Sequence, residues 1–378
     1  MRYCQQRRLR LSLLSLLAIV GCTSLAAREV VALYSSSSHQ EMKVAPGSKI
    51  VVNNRFEFGS VVVTGWDRDV VQAMATIRNG STPVQVQVTK DLNDPKRVLV
   101  TTAPEDGGSN TGAVRLEVRV PQYVELEVIH VPKAALEVTD VNGSVAVSSG
   151  SGSISVRRVG SLKARSGSGD LLISGVKGPV AVQKSSGPFT ISDVEGNLTS
   201  KFESGHARLA NIRGSIDVTT ATGNVEINNA GGDVRIVSIN GRTNIECAAG
   251  RVEVRDTSGV VTLASIAGDV DVTTSNGRAT YTGVIYAGRR YRLKTLSGAV
   301  LMAVSDEAAG FTATLSSYTG SVQTDFDLKP EASSQSAGGN HRIVGTYGGG
   351  RSQIELDSFN GRVRLSKVSS SAVKKCER

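Results

Sequence analysis

Fourteen glycines recur at an unbroken nine-residue spacing: Gly160, Gly169, Gly178, Gly187, Gly196, Gly205, Gly214, Gly223, Gly232, Gly241, Gly250, Gly259, Gly268 and Gly277. Gly143 and Gly152 extend the series upstream, with one step of eight. A short fixed period marks an array of stacked units, each too small to bury its own core. Most of these glycines are followed by apolar residues at the second and fourth positions, as in Ile216 and Val218 or Val252 and Val254. The residues between are polar, such as Asp217 and Glu253. Period-two alternation with β-branched residues predicts half-buried strands. A helix would need apolar residues three and four apart.

The nonamers are of two kinds. After Gly169, Gly187, Gly205, Gly223, Gly241, Gly259 and Gly277 the seventh residue is apolar; after the alternate glycines it is usually small or polar. The repeat is therefore eighteen residues, with two strands and two unlike corners. Ser168, Ser186, Ser204, Thr222, Asn240, Ser258 and Asn276 precede the first set. Such pairs admit a positive φ, which we expect at these corners. The predicted fold is all-β, a two-sheeted β-solenoid of 18-residue coils with an N-terminal β cap. Eight coils from about Gly143 to Val284 would make a rod of roughly 38 Å.

The aromatic content of 4% fits a Val, Ile and Leu core between close sheets. Residues 1–21 have the form of a signal peptide: Arg2, Arg7, Arg8 and Arg10 precede an apolar stretch, 11–20, too short to span a bilayer. Ile19-Val20-Gly21-Cys22 resembles a lipobox, making Cys22 the candidate lipid-attachment residue; Ser24-Leu25-Ala26 would instead release a soluble protein. Losing four arginines from a formal +9 leaves the mature chain near +5. That charge is scattered, so no nucleic-acid partner is expected. Cys247 and Cys376 are read as unpaired thiols, and no zinc spacing occurs.

Residues 22–43 read as a Ser-rich linker, 44–141 as a β-rich, sandwich-like cap continuous with the first coil, and 142–285 as the regular solenoid. Residues 286–368 read as irregular coils with insertions, the largest near 327–350, and 369–378 as a flexible basic tail. Trp66, the only tryptophan, is expected to anchor the cap core. Tyr281, Tyr286, Tyr291, Phe311, Tyr318, Phe326, Tyr347 and Phe359 concentrate at the C-terminal end, where they would plug the open solenoid.

Catalytic patterns are missing. Calcium-binding nonamers need two glycines and an aspartate in each repeat, and only Gly231-Gly232-Asp233 approaches that. Acids alternate with bases along the strands, and Asp67 with Asp69 is the nearest to a carboxylate pair. His39, His130, His206 and His341 fall in separate regions. No phosphate loop occurs. No enzyme activity, metal or cofactor is expected.

The segments Gly59-Ser60-Val61-Val62-Val63, Gly65-Trp66-Asp67, Val118-Arg119-Val120-Pro121, Ser258-Gly259-Val260-Val261, Asn276-Gly277 and Asn360-Gly361-Arg362-Val363 carry a resemblance. From about Val44 to Lys367 the chain resembles the bacterial putative-adhesin family of β-strand-repeat proteins. The resemblance implies a surface β-repeat fold and transfers no catalytic residue. The expected function is non-enzymatic: an exported cell-envelope solenoid presenting an extended surface to a protein or polysaccharide. An envelope scaffold or stress-related assembly factor that self-associates through its ends is the alternative. A polysaccharide-modifying enzyme stands third. The expected location is the outer membrane or cell surface as a lipoprotein, with a periplasmic or secreted form as the alternative.

Overall fold

The computed structural model describes residues 34–80, 83–105, 112–131, 133–330, 341–374 and 376. Cys22 and the signal-like segment lie outside them. Among the described residues are 27 strands and one turn of 3-10 helix, Ser370–Ala372.

One coil shows how the repeat works. Strand Leu171–Val176 is the first leg and Val180–Lys184 the second. Leu171, Ile173, Val176, Val180 and Val182 point inward and are each at most 2% exposed. Leu171 pairs in parallel with Phe189 and Val180 with Leu198, both eighteen residues on. The same register carries Ile216 to Val234 and Val234 to Val252. Two coil-to-coil steps, Ile154 to Leu171 and Val145 to Leu162, are seventeen residues. The residue missing at the eight-residue glycine step is absorbed at one corner, where Val159 and Ser161 pair with Val141 and Ser144.

The corners are held by proximity. An added Cβ at any of the fourteen glycines would meet another heavy atom at 1.9–2.8 Å. For most of them that atom belongs to the corner of the preceding coil: Gly250 O for Gly268 and Gly259 O for Gly277. Positive φ is confined to Gly187, Gly205 and Gly241 among the fourteen. The expected conformational reason therefore holds at three corners, and close backbone approach explains the rest.

A third bend has no recurrent glycine. Asp140, Arg158, Gly175, Asp193, Asn211, Asn229, Cys247 and Ser265 all have φ between 52° and 67°. They stack one per coil, each one residue before the inward Val141, Val159, Val176, Val194, Ile212, Ala230, Ala248 and Ile266. The left-handed residue turns the chain so that the next side chain enters the core. Asn and Asp tolerate this conformation better than most residues.

Both ends break chain order. At the N-terminal end the parallel stack runs from the coil of Arg97–Pro104 and Ala113–Pro121 to that of Lys49–Asn54 and Phe58–Trp66, then to Glu125–Val131 and the start of Ala135–Ser149. The coil that comes first in sequence is thus sandwiched between two later ones. At the other end Ser352–Asn360 and Val363–Val368 sit between Arg290–Ser297 with Val300–Ser305 and Phe311–Ser317 with Val322–Thr324. Following one leg from Ala113–Pro121 to Val322–Thr324 gives fourteen layers among the described residues. At about 4.8 Å each, that is a rod of roughly 62 Å. The N-terminal region thus continues into the first regular coil, as expected, but it is built of solenoid layers capped by antiparallel strands and is not sandwich-like.

Those antiparallel strands cover the exposed edges, which would otherwise invite edge-to-edge pairing. Val70–Gly80 pairs with Ala113–Pro121, and Val84–Lys90 with Arg97–Pro104. Tyr34–Lys43 pairs with Val70–Gly80. The backbone N–H groups of Val84, Val86 and Val88 donate to Ser36 Oγ, Ser38 Oγ and Gln40 Oε1 at 3.0, 3.1 and 2.8 Å. The serines of the expected linker thus join the two legs of the cap as part of a strand. At the C-terminal end, His341–Tyr347 covers Phe311–Ser317.

Candidate functional site

Two features stand out from an otherwise mixed surface. The first is a groove of about 700 Å³ that runs along one side from Ser149 to Ile239. Successive coils contribute Arg165, Gln183, Lys201, Thr219 and Val237 in strict register to its sheet wall. Gly167, Ser185, Glu203, Ala221 and Ile239 form the corner rim. Lining residues come from six coils, so the groove is about 24 Å long.

Its floor explains why the corner opens there. Inside this corner a column of small polar residues faces inward, among them Ser166, Thr220, Ser238, Thr274 and Thr295. Where partners are close, their hydroxyls donate to corner carbonyls: Thr295 to Gly277 at 3.2 Å and Ser358 to Gly298 at 3.0 Å. Three positions depart from this pattern. Asp256, in register between Ser238 and Thr274 and only 6% exposed, puts a carboxyl in the column. Phe202 fills the column with a ring that meets Phe189 edge-on at 5.1 Å. Lys184, only 4% exposed, directs its amine to Gly169 O and lies 3.4 Å from Ser166 Oγ. Burial holds the Lys184 amine below the ordinary lysine range, and Asp170 partly opposes that.

Charge is distributed unevenly along this face. Toward the C-terminal end, Arg235, Arg251 and Arg255 share Glu253, and Arg251 also reaches Asp271. Further on, Arg290, Arg292 and Lys294 converge on Glu355. Lys49 bridges Glu125 and Glu127 at the other end. Between these networks Lys163, Arg165 and Lys201 face outward with no carboxylate in ion-pair range among the described residues. Arg165 reaches only Gln183 Oε1, at 3.1 Å.

The second feature is an exposed apolar ladder at the C-terminal corner. Leu296, Phe359 and Tyr318 occupy successive layers and are 57%, 51% and 51% exposed. The Phe359 and Tyr318 rings stack at 4.8 Å, one coil spacing apart. They border a hollow of about 470 Å³ that includes Lys294 and Asp357. The aromatic residues therefore divide. Tyr281, Tyr291 and Phe311 are fully buried, and Phe326 and Tyr347 pack with Phe311 to close the end. Tyr286, Tyr318 and Phe359 stay on the surface.

Other sequence expectations are placed as follows. Trp66 is half-buried: its indole donates to Val70 O at 2.7 Å, and the Arg68 and Arg119 guanidiniums lie 5.1 and 5.7 Å from the ring centroid. It is a strand-end residue and not the core anchor expected. Asp69 accepts from Tyr123 Oη at 2.7 Å on the surface. Among the described residues no cluster of three or more His, Cys, Asp or Glu side chains could hold a metal. No helix among them is long and apolar enough to cross a membrane.

Cys247 and Cys376, expected as free thiols, form a disulfide with Cα atoms 5.4 Å apart. Cys247 sits in the left-handed column, so its side chain points out from the bend. The C-terminal segment runs back along that column. Ser370 N donates to Asp306 Oδ1, Ser265 Oγ donates to Lys374 O at 2.6 Å, and the Lys374 ammonium pairs with Glu246. That ammonium holds the Glu246 carboxyl below its ordinary range. Deeper in the column, Asn229 donates to Asn211 and Asn211 to Asp193, both at 3.0 Å. Arg158 grips Asp140 with two bonds, which depresses the Asp140 carboxyl.

No curated protein matches the chain. Three solved structures are similar to it at low identity. A putative cell adhesion protein from Clostridium sporogenes is 8% identical, with 88% of this chain and 100% of that one covered at a TM-score of 0.18. A putative lipid binding protein from Parabacteroides distasonis is 14% identical, covering 71% and 94% at 0.27. A putative adhesin from Parabacteroides merdae is 13% identical, covering 71% and 96% at 0.29. The family model described as Toastrack DUF4097 matches residues 78–366, which include all fourteen ladder glycines and both features above. With that match spanning most of its length, the chain belongs to the Toastrack DUF4097 family.

Proposed function

We propose that this β-solenoid is an exported, non-enzymatic protein of the cell envelope that holds a partner along its side. The observation that carries the reading is the long groove, built in register by six coils and flanked by cations with no carboxylate partner among the described residues. Elsewhere on the same face, arginines and lysines are consumed by Glu253, Glu355 and the Glu125–Glu127 pair. A surface of that kind favours contact with something outside the chain. The Cys247–Cys376 disulfide supports export, because such bonds persist in oxidising compartments. The basic and apolar start of the chain supports it as well. In this reading Cys22 is acylated and tethers the protein to the outer membrane or cell surface. Fatty-acid labelling that fails to mark the protein would remove the tether.

The decisive experiment deletes the gene and restores it with wild type or with the Arg165→Glu/Lys201→Glu variant. Surface attachment and crosslinked partners are then measured. Wild type should restore both, and the double variant neither. Unchanged attachment and partners in the deletion would sink the proposal.

The ladder of Leu296, Phe359 and Tyr318 favours a second reading, an envelope scaffold that assembles through its C-terminal corner. Light scattering of the purified protein decides it: a strict monomer at high concentration removes that role.

A further inference from the structure

Resting on the partner-binding reading above, we infer that the groove from Ser149 to Ile239 is a binding site for an extended acidic polysaccharide, a chain of uronate-type sugars lying parallel to the solenoid axis. Three observations converge on that chemistry. The groove is linear, about 24 Å long, and repeats its wall once per coil, so it suits a polymer with a short repeat. A pyranose chain advances by nearly one coil spacing per sugar. Arg165 and Lys201 stand two coils apart in one column, about 10 Å, which sets these two cations two sugars apart. Gln183 lies between them as a neutral donor and acceptor.

The rest of the lining fits a sugar face. Ala221, Val237 and Ile239 present apolar surface, and Ile239 is 57% exposed. Ring C–H faces can cover that surface while carboxylates meet the cations, the mixture of apolar wall and few charged groups usual in ligand sites. Glu203 on the corner rim is the one carboxylate among the lining residues, against Arg165 and Lys201; the Lys184 amine is buried against Gly169 O.

Other polyanions fit less well. Single-stranded nucleic acid needs aromatic platforms, and the groove's one aromatic, Phe202, is only 4% exposed. A bilayer is flat and cannot follow a groove wall. An acidic peptide would gain little main-chain bonding, because the wall strands already pair on both sides.

The test uses the purified mature protein and calorimetric titration with oligogalacturonate at low salt. Neutral galactose oligomers, phosphatidylglycerol vesicles and single-stranded DNA serve as comparison probes. Oligogalacturonate should bind, weaken steeply with salt, and outcompete the neutral oligomer. The Arg165→Glu/Lys201→Glu variant should bind at least tenfold more weakly with an unchanged circular dichroism spectrum. Ala221→Trp, which blocks the groove without altering charge, should lose binding as well and covers the case in which the double variant does not fold. Failure to bind oligogalacturonate, equal affinity in the folded variants, or binding only to vesicles or DNA would overturn the inference. If the double variant abolishes attachment in cells while the wild-type protein ignores oligogalacturonate, the partner-binding reading stands and the ligand class falls.

Discussion

The middle of this solenoid and its two ends obey different rules. From Ile154 to Ile266 each coil sits on the one before it in sequence, at seventeen or eighteen residues. At both ends a coil is inserted out of order, between a neighbour and a segment remote in sequence. The middle is held by local repetition. The ends are held by devices outside the repeat: an antiparallel cover at each, an aromatic plug, and a C-terminal tail clasped by a disulfide to Cys247 of the middle. The difference follows from edges. An interior coil has a pairing partner on each side, whereas a terminal coil needs a cover of its own.

Substitutions can break this comparison, and the largest effect belongs to the middle. Gly268→Val would force a side chain into Gly250 O, 2.1 Å from the new Cβ, where only backbone can yield. We expect more than about 4 kcal/mol of destabilisation or outright failure to fold, read by urea denaturation. The contrasting change is at Gly288, an end turn with φ of 75° and open space around it; Gly288→Ala should cost only about 1–2 kcal/mol. Similar losses at both positions would show that close approach adds nothing at Gly268.

Next in size is the plug. Phe311 is fully buried against Phe326 and Tyr347, so Phe311→Ala should cost about 3–5 kcal/mol. Hydrogen exchange should place the loosening in the C-terminal coils, with the middle protected. The clasp comes third. Removing both cysteines of the Cys247–Cys376 bridge, which spans 129 residues, should cost about 2–5 kcal/mol. The last coils should then open before the regular ones. Uniform loss of protection along the rod would contradict that order.

The smallest effect is a pH dependence. Lys374 lowers the Glu246 carboxyl below its value in the unfolded chain. Its contribution is therefore fully present above the ordinary glutamate range and is lost as pH falls through the depressed value. Acidification should loosen the tail locally, and Glu246→Gln should erase that step in a pH titration of hydrogen exchange at Lys374. Asp140, lowered by Arg158, titrates in the same direction but belongs to the N-terminal half of the column. Its response should be unaffected by Glu246→Gln.

The glycine spacing and the apolar second and fourth positions were enough to read the coil, its length and its inward residues. The unlike seventh residue was also legible, but its cause was not. Asp193, Asn211, Cys247 and Ser265 share no chemistry in a sequence; they share a left-handed backbone, visible only as a column. The groove was hidden for a related reason. Arg165, Gln183 and Lys201 are separated by eighteen residues each, and nothing in a linear reading shows that Lys163, Arg165 and Lys201 gather on one face with no carboxylate in ion-pair range among the described residues.

What the sequence determined by itself is therefore periodic: alternation chose strands, strict spacing chose stacking, and glycine chose the corners, because each is repeated often enough to outweigh local exceptions. The tertiary structure alone decided whatever depends on a single long-range encounter. Tyr34–Lys43 became a strand because its serines and glutamine meet the N–H groups of Val84, Val86 and Val88. Cys247 became half of a disulfide because the chain end returns along the column where that cysteine points outward. Such contacts carry no local pattern; they exist only when the fold brings distant segments to the same edge.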